Sequence, residues 1–331
     1  MLDQRELNTL AKNDKIDHFL LIRKIELRST RSGSDFLSTE LGDKSASLNA
    51  NIWEGFAEIA ARGKVGEVVK VAGSIEEYQG NLQIRVTSIK LATDRDRVHP
   101  RDFLPESKRN FDEMKKEFNQ KIKSISNKYF KKLLSQIFSG ERFEQFCIAP
   151  AGKSWHHAYI HGLLEHTLEI INICELVCEF HSELNKDLLI SGAMLHDIGK
   201  IEELSFDSAF EYTDKGKLIG HIVIASNLVR DEIKKNPDFP VDMENGLIHL
   251  ILSHQGKLEH ASPVVPKTVE AIALYQADEL SAKVNAYKNA VDSELRSDSN
   301  WTRFIPLADT DLHKFSFGDS SEASTKNSLF D

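Results

Sequence analysis

Ten of the thirteen histidines in this chain of 331 residues lie between positions 156 and 260. Several of them, together with two aspartates, stand at the edges of strongly apolar segments with helical spacing. Burying imidazole and carboxylate groups there costs free energy unless something pairs with them, and a cation is the natural partner. The constellation consists of His156, His157, His161, His166, His196, Asp197, His221, His254 and Asp278.

These residue types predict a site for divalent cations. Neutral imidazole and carboxylate oxygen suit manganese, iron, cobalt, nickel or zinc. The ligand segments contain no cysteine, which disfavours a thiolate-rich structural zinc site. A carboxylate such as Asp197 can bridge two ions, and two ions ~3.5–4 Å apart can hold a hydroxide and clamp a phosphoryl oxygen during in-line displacement.

Lys200 is a candidate catalytic residue beside this site. It lies three residues after Asp197 and four after His196, hence on the same helical face. An ammonium there could steady a phosphate oxygen or a leaving group. The alternative is a surface lysine that pairs with Glu203.

The central motif of the constellation is HDIGK, with GLLEHT before it and GH, SH and AD after it in that order. This order resembles the HD superfamily of metal-dependent phosphohydrolases. The chain is also similar, over nearly its whole length, to the YhaM-type 3′–5′ exoribonucleases. This closer resemblance is carried by an OB-type domain followed by PAGKSWHHAYIHGLLEHT, HDIGK, EYTDKGKLIGHI, ILSHQGKLEHASPVVPKTVEAIAL and ADELSAK.

The resemblance implies a set of ligands and a metal. The implied ligands are His166, His196, Asp197, His221, His254 and Asp278. Asp197 would bridge two divalent ions, because such families use His221 and His254 for a second ion. Manganese is the first candidate, with cobalt, iron, nickel or zinc as alternatives. His156 and His157 match a His-His pair of the family and would line the site or support its ligands.

Three positions depart from the pattern of the relatives. His161 stands where a glycine is expected, so its role stays open. Gln255 follows His254 where relatives often carry another histidine, which removes one possible phosphate contact. Ser281 replaces an expected aspartate and leaves Asp278 untouched.

Residues 1–95 are expected to form a nucleic-acid-binding domain. Five strand-like segments between His18 and Ala92, with a short helix after the third, predict a five-stranded β-barrel of the OB type, with a hairpin turn at Gly80-Asn81. Such barrels bind single strands through aromatic and basic residues on one face. The candidates are Arg31, Phe36, Trp53, Tyr78 and Arg85. The alternative for Phe36 and Trp53 is that they fill the barrel.

The rest of the chain is expected to be helical, which makes the whole a multidomain α+β protein. Residues 96–145 have helical spacing and many lysines, and are interpreted as a basic helical connector. Its lysines are either solvated surface or a path for a polyanion. Residues 146–310 are assigned to an all-α HD domain, and residues 311–331 to a disordered tail.

Charge and composition limit the partners. The net charge is −9, divided into 0 for residues 1–95, +4 for residues 96–145 and −13 for residues 146–331. So acidic a region cannot coat a phosphate backbone unless cations neutralise it. The polar amino terminus, the lack of an apolar run of ~18 residues and the three cysteines predict a soluble cytoplasmic protein with no membrane partner.

The leading functional hypothesis is a metal-dependent 3′–5′ exoribonuclease. It would cut single-stranded RNA, with single-stranded DNA left open, into nucleoside 5′-monophosphates through a metal-activated hydroxide. The polarity and the preference for RNA come from the resemblance. One alternative is a phosphohydrolase of small nucleotides or cyclic dinucleotides, against which the barrel counts. Another is a nucleic-acid-binding adaptor with an inactive HD fold, which predicts missing ligands, and none is missing. The oligomeric state stays open, and self-association is compatible with the sequence.

Overall fold

The computed structural model describes residues 4–30, 32–296, 299–306 and 308–315. Its first part is a closed β-barrel and its second part is helical. The barrel contains β1 (Lys15–Ser29), β2 (Asp35–Gly42), β3 (Ser47–Ile52), α1 (Ala57–Arg62), β4 (Val68–Tyr78) and β5 (Asn81–Leu91).

The strands close in the order β1-β2-β3-β5-β4. All neighbours are antiparallel except β3 and β5, which pair in parallel where Asn49 faces Gln83. The helix α1 follows the third strand, as the sequence predicts. The prediction of an OB-type barrel is confirmed. A hairpin turn is present, but Gln79 and Gly80 form it, one residue earlier than predicted, because Asn81 already pairs with Tyr78 as the first residue of β5. Gly80 has a φ of +79°, which glycine adopts most readily.

Alternation along the strands divides the barrel into an inner and an outer face. Leu37 of β2 pairs with Ile52 of β3, and both side chains are buried in the barrel core. Because successive side chains of a strand point to opposite faces, the neighbours Phe36 and Trp53 belong to the outer face.

The helical part begins with α2 (Phe111–Ser124), α3 (Lys128–Ile137) and α4 (Gly140–Ile148). It continues with α5 (Gly162–Phe180), α6 (Lys186–Leu195), α7 (Lys200–Glu203), the short strands β6 (Leu204–Ser205) and β7 (Glu211–Tyr212), α8 (Asp214–Ile219), α9 (His221–Lys234), α10 (Val241–Ser253) and α11 (Val269–Glu294). The helical character predicted for this part is confirmed.

The helices α2 to α4 pack on the same hydrophobic core as the later helices, and Leu21 and Val68 of the barrel also join it. Phe118 of α2 is central, since its ring lies 4.8 Å from that of Phe138 and 5.2 Å from that of Phe146. The burial of Leu21 and Val68 in this core attaches the barrel to the helical part.

Acidic residues neutralise some of the lysines on α2. Lys115 lies 2.7 Å from Glu144, and Lys121 lies 2.5 Å from Glu175. Of the predicted tail, residues 316–331 lie outside the described part of the chain. In the parts of the chain that are described, no helix is long and apolar enough to span a bilayer.

Candidate metal centre

Six candidate ligands from five helices and their ends come together in the helical part. His166 belongs to α5 and Asp278 to α11, while His221 is the first residue of α9. His196 and His254 are the residues that follow the last turns of α6 and α10. Helix ends therefore deliver most of the ligand side chains, and Asp197 follows His196 directly in the short link to α7.

Asp197 lies at the centre of this group, with only 2% of its surface exposed. Its Oδ2 atom lies 3.3 Å from Nε2 of His196 and 3.7 Å from Nε2 of His166. Its Oδ1 atom lies 3.4 Å from Nε2 of His221 and 3.6 Å from Nε2 of His254. Each carboxylate oxygen therefore faces its own pair of histidines, and this arrangement would allow two candidate cation sites to share the Asp197 carboxylate.

Asp278 belongs to the first of these two sites. Its Oδ1 atom lies 3.1 Å from Nε2 of His166. The first site thus offers two imidazoles and two carboxylates, and the second offers two imidazoles and the shared carboxylate. Such N and O donors suit borderline-to-hard divalent ions.

Hydrogen bonds on the far side of the imidazole rings determine which nitrogen faces the centre. Nδ1 of His196 lies 2.8 Å from the carbonyl oxygen of Ala193, and Nδ1 of His254 lies 2.7 Å from that of Ile251. A carbonyl oxygen can only accept, so Nδ1 carries the proton in both rings. The lone pair of Nε2 then points into the centre, as metal ligation requires.

The donor atoms fit a cation because several of them have no other partner. Within the described residues, Nε2 of His166, of His196 and of His221 are buried without a hydrogen bond, as is Oδ1 of Asp197. Buried polar atoms are normally satisfied, and leaving four together unpaired is expensive. Divalent cations bound here would satisfy all four atoms. Nε2 of His254 differs, because the Gln255 amide lies 3.3 Å away.

The electrostatics keep three of the ligands, His166, His254 and Asp197, in their binding form. Burial holds the pKa of His166 well below its usual value and lowers the pKa of His254 to about 4, so both rings are neutral near pH 7. Burial alone would raise the pKa of Asp197, but the Lys200 ammonium and then His196 hold that pKa well below its ordinary value. Asp197 is therefore ionised. For His196, burial acts to lower the pKa, but the Asp197 carboxylate outweighs it and the pKa is raised.

Lys200 forms a buried ion pair at the centre. Its Nζ atom lies 2.6 Å from Oδ2 of Asp197, and the side chain is almost fully buried. Burial acts to lower the pKa of Lys200, but the Asp197 carboxylate outweighs it and the pKa is raised. The interpretation of Lys200 as a surface lysine paired with Glu203 is therefore wrong.

Gly199 explains why the HDIGK motif contains a glycine. A Cβ atom at this position would lie 2.1 Å from the carbonyl oxygen of His221. Only glycine lets the link after Asp197 pass this close to the start of α9. The close passage brings Asp197 within reach of His221.

His156 and His157 lie beside the first cation site. Their ring centroids are 4.8 Å and 5.0 Å from that of His166, and both residues are buried. Nε2 of His157 lies 3.2 Å from a carboxylate oxygen of Glu169, and its backbone N–H donates to Asn285 at 2.8 Å. Burial lowers the pKa of His156 to about 2. Both histidines therefore line the centre on the side of His166.

The barrel candidates lie on its outer face. The rings of Phe36 and Trp53 stack with centroids 4.6 Å apart, and Trp53 is 55% exposed. They do not fill the barrel. Tyr78 is 61% exposed at the turn between β4 and β5, and Arg85 of β5 pairs with Glu76 at 3.1 Å. Arg31 lies outside the described residues.

Two family models match this chain. Residues 163–283 match the HD domain, and residues 22–92 match the tRNA_anti-codon family, described as an OB-fold nucleic acid binding domain. The chain joins an OB-fold domain to an HD domain. The matched HD segment contains all six candidate ligands. An HD domain indicates a metal-dependent phosphohydrolase, and the OB-fold domain indicates nucleic-acid binding.

Several solved structures resemble about a quarter of this chain. A crystallised domain of replication protein A from Methanococcus maripaludis is 20% identical, with a TM-score of 0.23, and the match covers 26% of this chain and 92% of that one. The protein PriB from Ralstonia solanacearum is 15% identical, with a TM-score of 0.21, over 25% of this chain and 100% of that one.

Three supporting residues of the HD domain were not assigned from the sequence. Glu203 accepts from both the backbone N–H and Nδ1 of His221, each at 2.9 Å. Ser281 lies 3.0 Å from Nδ1 of His166 and donates to Glu169 at 2.7 Å. The available signal was spacing: Glu169 follows His166 by three residues, and Ser281 follows Asp278 by three, hence on the same helical faces.

His161 of the HD domain region lies apart from the ligands. Its Nδ1 atom lies 2.7 Å from the carbonyl oxygen of Cys147, and its ring stacks on Phe111 with centroids 4.3 Å apart. Its φ of +69° lies in the left-handed region, which glycine adopts most readily and which therefore agrees with the expectation of a glycine here. His161 therefore connects the start of α2 to the end of α4.

Proposed function

We propose that the protein is a metal-dependent 3′–5′ exoribonuclease that hydrolyses single-stranded RNA to nucleoside 5′-monophosphates. Single-stranded DNA is a second candidate substrate. The observation that carries this proposal is the position of Asp197, whose two oxygens each face a separate pair of histidines. The OB-fold domain on the same chain supports a polymeric rather than a small substrate.

Two divalent ions, manganese first, are the proposed cofactors. When bound, such ions lower the pKa of water to give a nucleophile at neutral pH and neutralise the phosphoryl oxygens. The residues that would hold them are His166, His196 and Asp278 on one side, His221 and His254 on the other, and Asp197 between them. Their positive charge would offset the −13 of residues 146–331, which removes the electrostatic objection to a polyanionic substrate.

The chain's own residues prepare this chemistry in three ways. The carbonyls behind His196 and His254 and the carboxylate behind His221 orient the imidazoles before substrate arrives. Lys200 keeps Asp197 ionised, and we assign its ammonium to steady a phosphate oxygen or the leaving 3′ oxygen. His156 and His157 complete the wall beside His166.

The substrate would reach the centre from the OB-fold domain. The stacked pair of Phe36 and Trp53 offers an exposed aromatic surface for bases of a single strand. Exposed lysines of the helices that follow, such as Lys116 and Lys123, add positive charge between the two domains. The 3′ polarity of the proposal rests on the resemblance to the YhaM-type enzymes.

We place the reaction in the cytoplasm. Cys147, Cys174 and Cys178 are all free thiols, as expected in a reducing compartment.

The test is digestion of a 5′-labelled single-stranded RNA by the purified protein with manganese. Asp197→Ala removes the shared carboxylate, and Asp231→Ala is the matched control because Asp231 is an exposed carboxylate of α9 paired with Lys234. We expect a ladder that shortens from the 3′ end with the wild type and the control, and no ladder with Asp197→Ala. An intact oligomer under every divalent metal, with hydrolysis of small nucleotides instead, would contradict the proposal.

A further inference from the structure

A cavity of about 440 Å³ lies two ring contacts from His166, and none of its lining residues is a candidate metal ligand. Three separate parts of the chain form its walls: the loop before α5, one face of α11 and the segment after α11. The residues that matter for its chemistry are Trp155, Asn289, Arg303, Phe304 and Pro306. We call this space the Trp155 cavity.

Two aromatic rings and a guanidinium line the Trp155 cavity. Trp155 is 38% exposed and Phe304 is 59% exposed, so neither ring is used to fill the hydrophobic core. Arg303 is exposed too, and within the described residues its guanidinium forms no ion pair. Flat aromatic faces and a free guanidinium are the surfaces on which nucleobases stack.

The exposed rings are held in place rather than left loose. Thr302 and Ile305, on either side of Arg303 and Phe304, are buried. The backbone N–H of Arg303 donates to the carbonyl oxygen of Glu294 at the end of α11, at 3.0 Å. The segment is therefore anchored to α11, and this anchoring keeps Phe304 pointing outward beside the cavity.

Packed side chains connect the wall of the Trp155 cavity to the metal centre. The ring of Trp155 meets the ring of His156 edge-on with centroids 5.1 Å apart, and the His156 ring lies 4.8 Å from that of His166. A second connection runs through α11, because Asn285 accepts from the backbone N–H of His157 and also from the side chain of Asn289. Two ring contacts thus separate the cavity from a candidate ligand.

The separation between the Trp155 cavity and His166 can be compared with the position of the terminal nucleoside when a 5′-monophosphate is released. Water adds to the phosphorus that joins the last two nucleotides, the bond from phosphorus to the 3′ oxygen of the penultimate nucleotide breaks, and that oxygen takes up the proton. With this phosphorus at Asp197, the terminal nucleoside extends away from the centre by one sugar. Its base would need a surface near the centre, and the Trp155 cavity is a concave aromatic surface two ring contacts from His166.

We infer that the Trp155 cavity binds the nucleobase of the 3′-terminal nucleotide by stacking on Trp155 and Phe304. This inference rests on the proposed function and deepens it by naming the part of the substrate that is recognised. Stacking is sequence-tolerant because every base has a π-face, so the cavity selects for the presence of a base rather than its identity.

The test compares two 5′-labelled RNA oligomers that differ only in the terminal nucleotide, which is intact in one and abasic in the other. Stacking of one base changes binding by roughly 5- to 150-fold. We expect the wild type to remove the intact nucleotide with a kcat/KM higher by a factor in that range. Trp155→Ala should bring the ratio close to one, and Trp155→Phe should retain most of it.

Trp301→Ala is the matched control, because Trp301 is another exposed tryptophan of the same segment that packs on His313 outside the cavity. It should leave the ratio unchanged. A second readout needs no turnover: with chelator present, 2-aminopurine at the 3′ end should be quenched by the wild type and not by Trp155→Ala. Thermal unfolding checks that each variant is folded.

The outcomes separate the two proposals. Equal removal of intact and abasic ends by the wild type, or an unchanged ratio in folded Trp155→Ala, overturns the inference and leaves the nuclease proposal standing. If the wild type shortens neither oligomer with any divalent metal, the proposed function itself fails. Quenching at the 3′ end that persists in Trp155→Ala would also overturn the inference, since the base would then be stacked elsewhere.

Discussion

Lys200 donates to Oδ2 of Asp197 at 2.6 Å, and this is the same oxygen that faces His166 and His196. The Lys200 ammonium is therefore bound to the same carboxylate oxygen that a cation in the first site would use. The lysine and a divalent ion act on one atom, so Lys200 influences both the stability of the metal-free protein and its affinity for metal.

Replacing Lys200 by methionine should separate these two effects. Breaking a buried ion pair by removing one partner costs about 3–5 kcal/mol of folding stability, because the remaining charge is left unpaired. We expect the metal-free variant to melt at lower temperature and to gain more from manganese than the wild type does. Thermal unfolding with and without manganese measures this, and an equal gain in both proteins would contradict it.

The two pairs of histidines predict two separable cation sites. His221→Ala should reduce the number of bound manganese ions from two to one, because the pair on Oδ2 is left intact. His18→Ala is the control, since that histidine lies in the barrel and bonds to the backbone of Arg5. Metal analysis of the dialysed proteins gives the count. Complete loss of metal in His221→Ala would mean that the sites are not independent.

Substitutions of Glu203 and of its neighbour Glu202 can be compared as a variant and its matched control. Glu203 accepts from Nδ1 of His221, whereas Glu202 pairs with Lys215 on the surface. Loss of such a carboxylate behind a metal-bound histidine typically lowers metal affinity or activity about 10- to 100-fold. We expect that loss for Glu203→Gln and near wild-type behaviour for Glu202→Gln, measured as the manganese concentration that gives half-maximal activity. Similar curves for both variants would disprove the assignment.

The buried histidines make the metal-free protein sensitive to acid. The pKa of His254 is lowered by burial to about 4 in the folded state, while in the unfolded chain it is ~6.5. The unfolded state therefore binds more protons between these values, and stability falls as the pH drops from about 6.5 to about 4. His254 alone contributes on the order of 3 kcal/mol to this loss.

Urea unfolding at several pH values, in the presence of chelator, would record the effect. Stability should level off above pH 6.5 and decrease below it, with a shallower decrease in His254→Gln. Identical slopes in the two proteins would show that His254 does not titrate as its burial indicates.

The stacked pair on the OB-fold domain should contribute to RNA binding. Trp53→Ala removes an exposed ring, and one stacked base is worth about 1–3 kcal/mol. We expect an increase in the dissociation constant for a single-stranded oligomer, measured by fluorescence anisotropy with chelator present. Val65→Ala, another exposed apolar residue of the same domain, should leave the affinity unchanged. An unaltered affinity in Trp53→Ala would show that the single strand binds to another surface of the protein.

Local patterns in the sequence were sufficient for the architecture, and the resemblance of its motifs to the HD superfamily supplied the candidate ligands. Alternation around Leu37 and Ile52 predicts strands. The residue types of His196, Asp197, His221 and His254 predict a site for divalent cations. These signals are readable because each depends on neighbours within one element or on residue type alone.

Only the tertiary structure decided how these residues work together. Which oxygen of Asp197 faces which histidine, the contact of Ser281 with His166 and the Trp155 cavity all join segments far apart in the chain. The role of His161, which the sequence left open, was also decided by the tertiary structure, since its Nδ1 atom lies beside the carbonyl oxygen of Cys147. Such contacts depend on how the ends of the helices pack against one another, and the spacing of residues along the sequence does not reveal that packing.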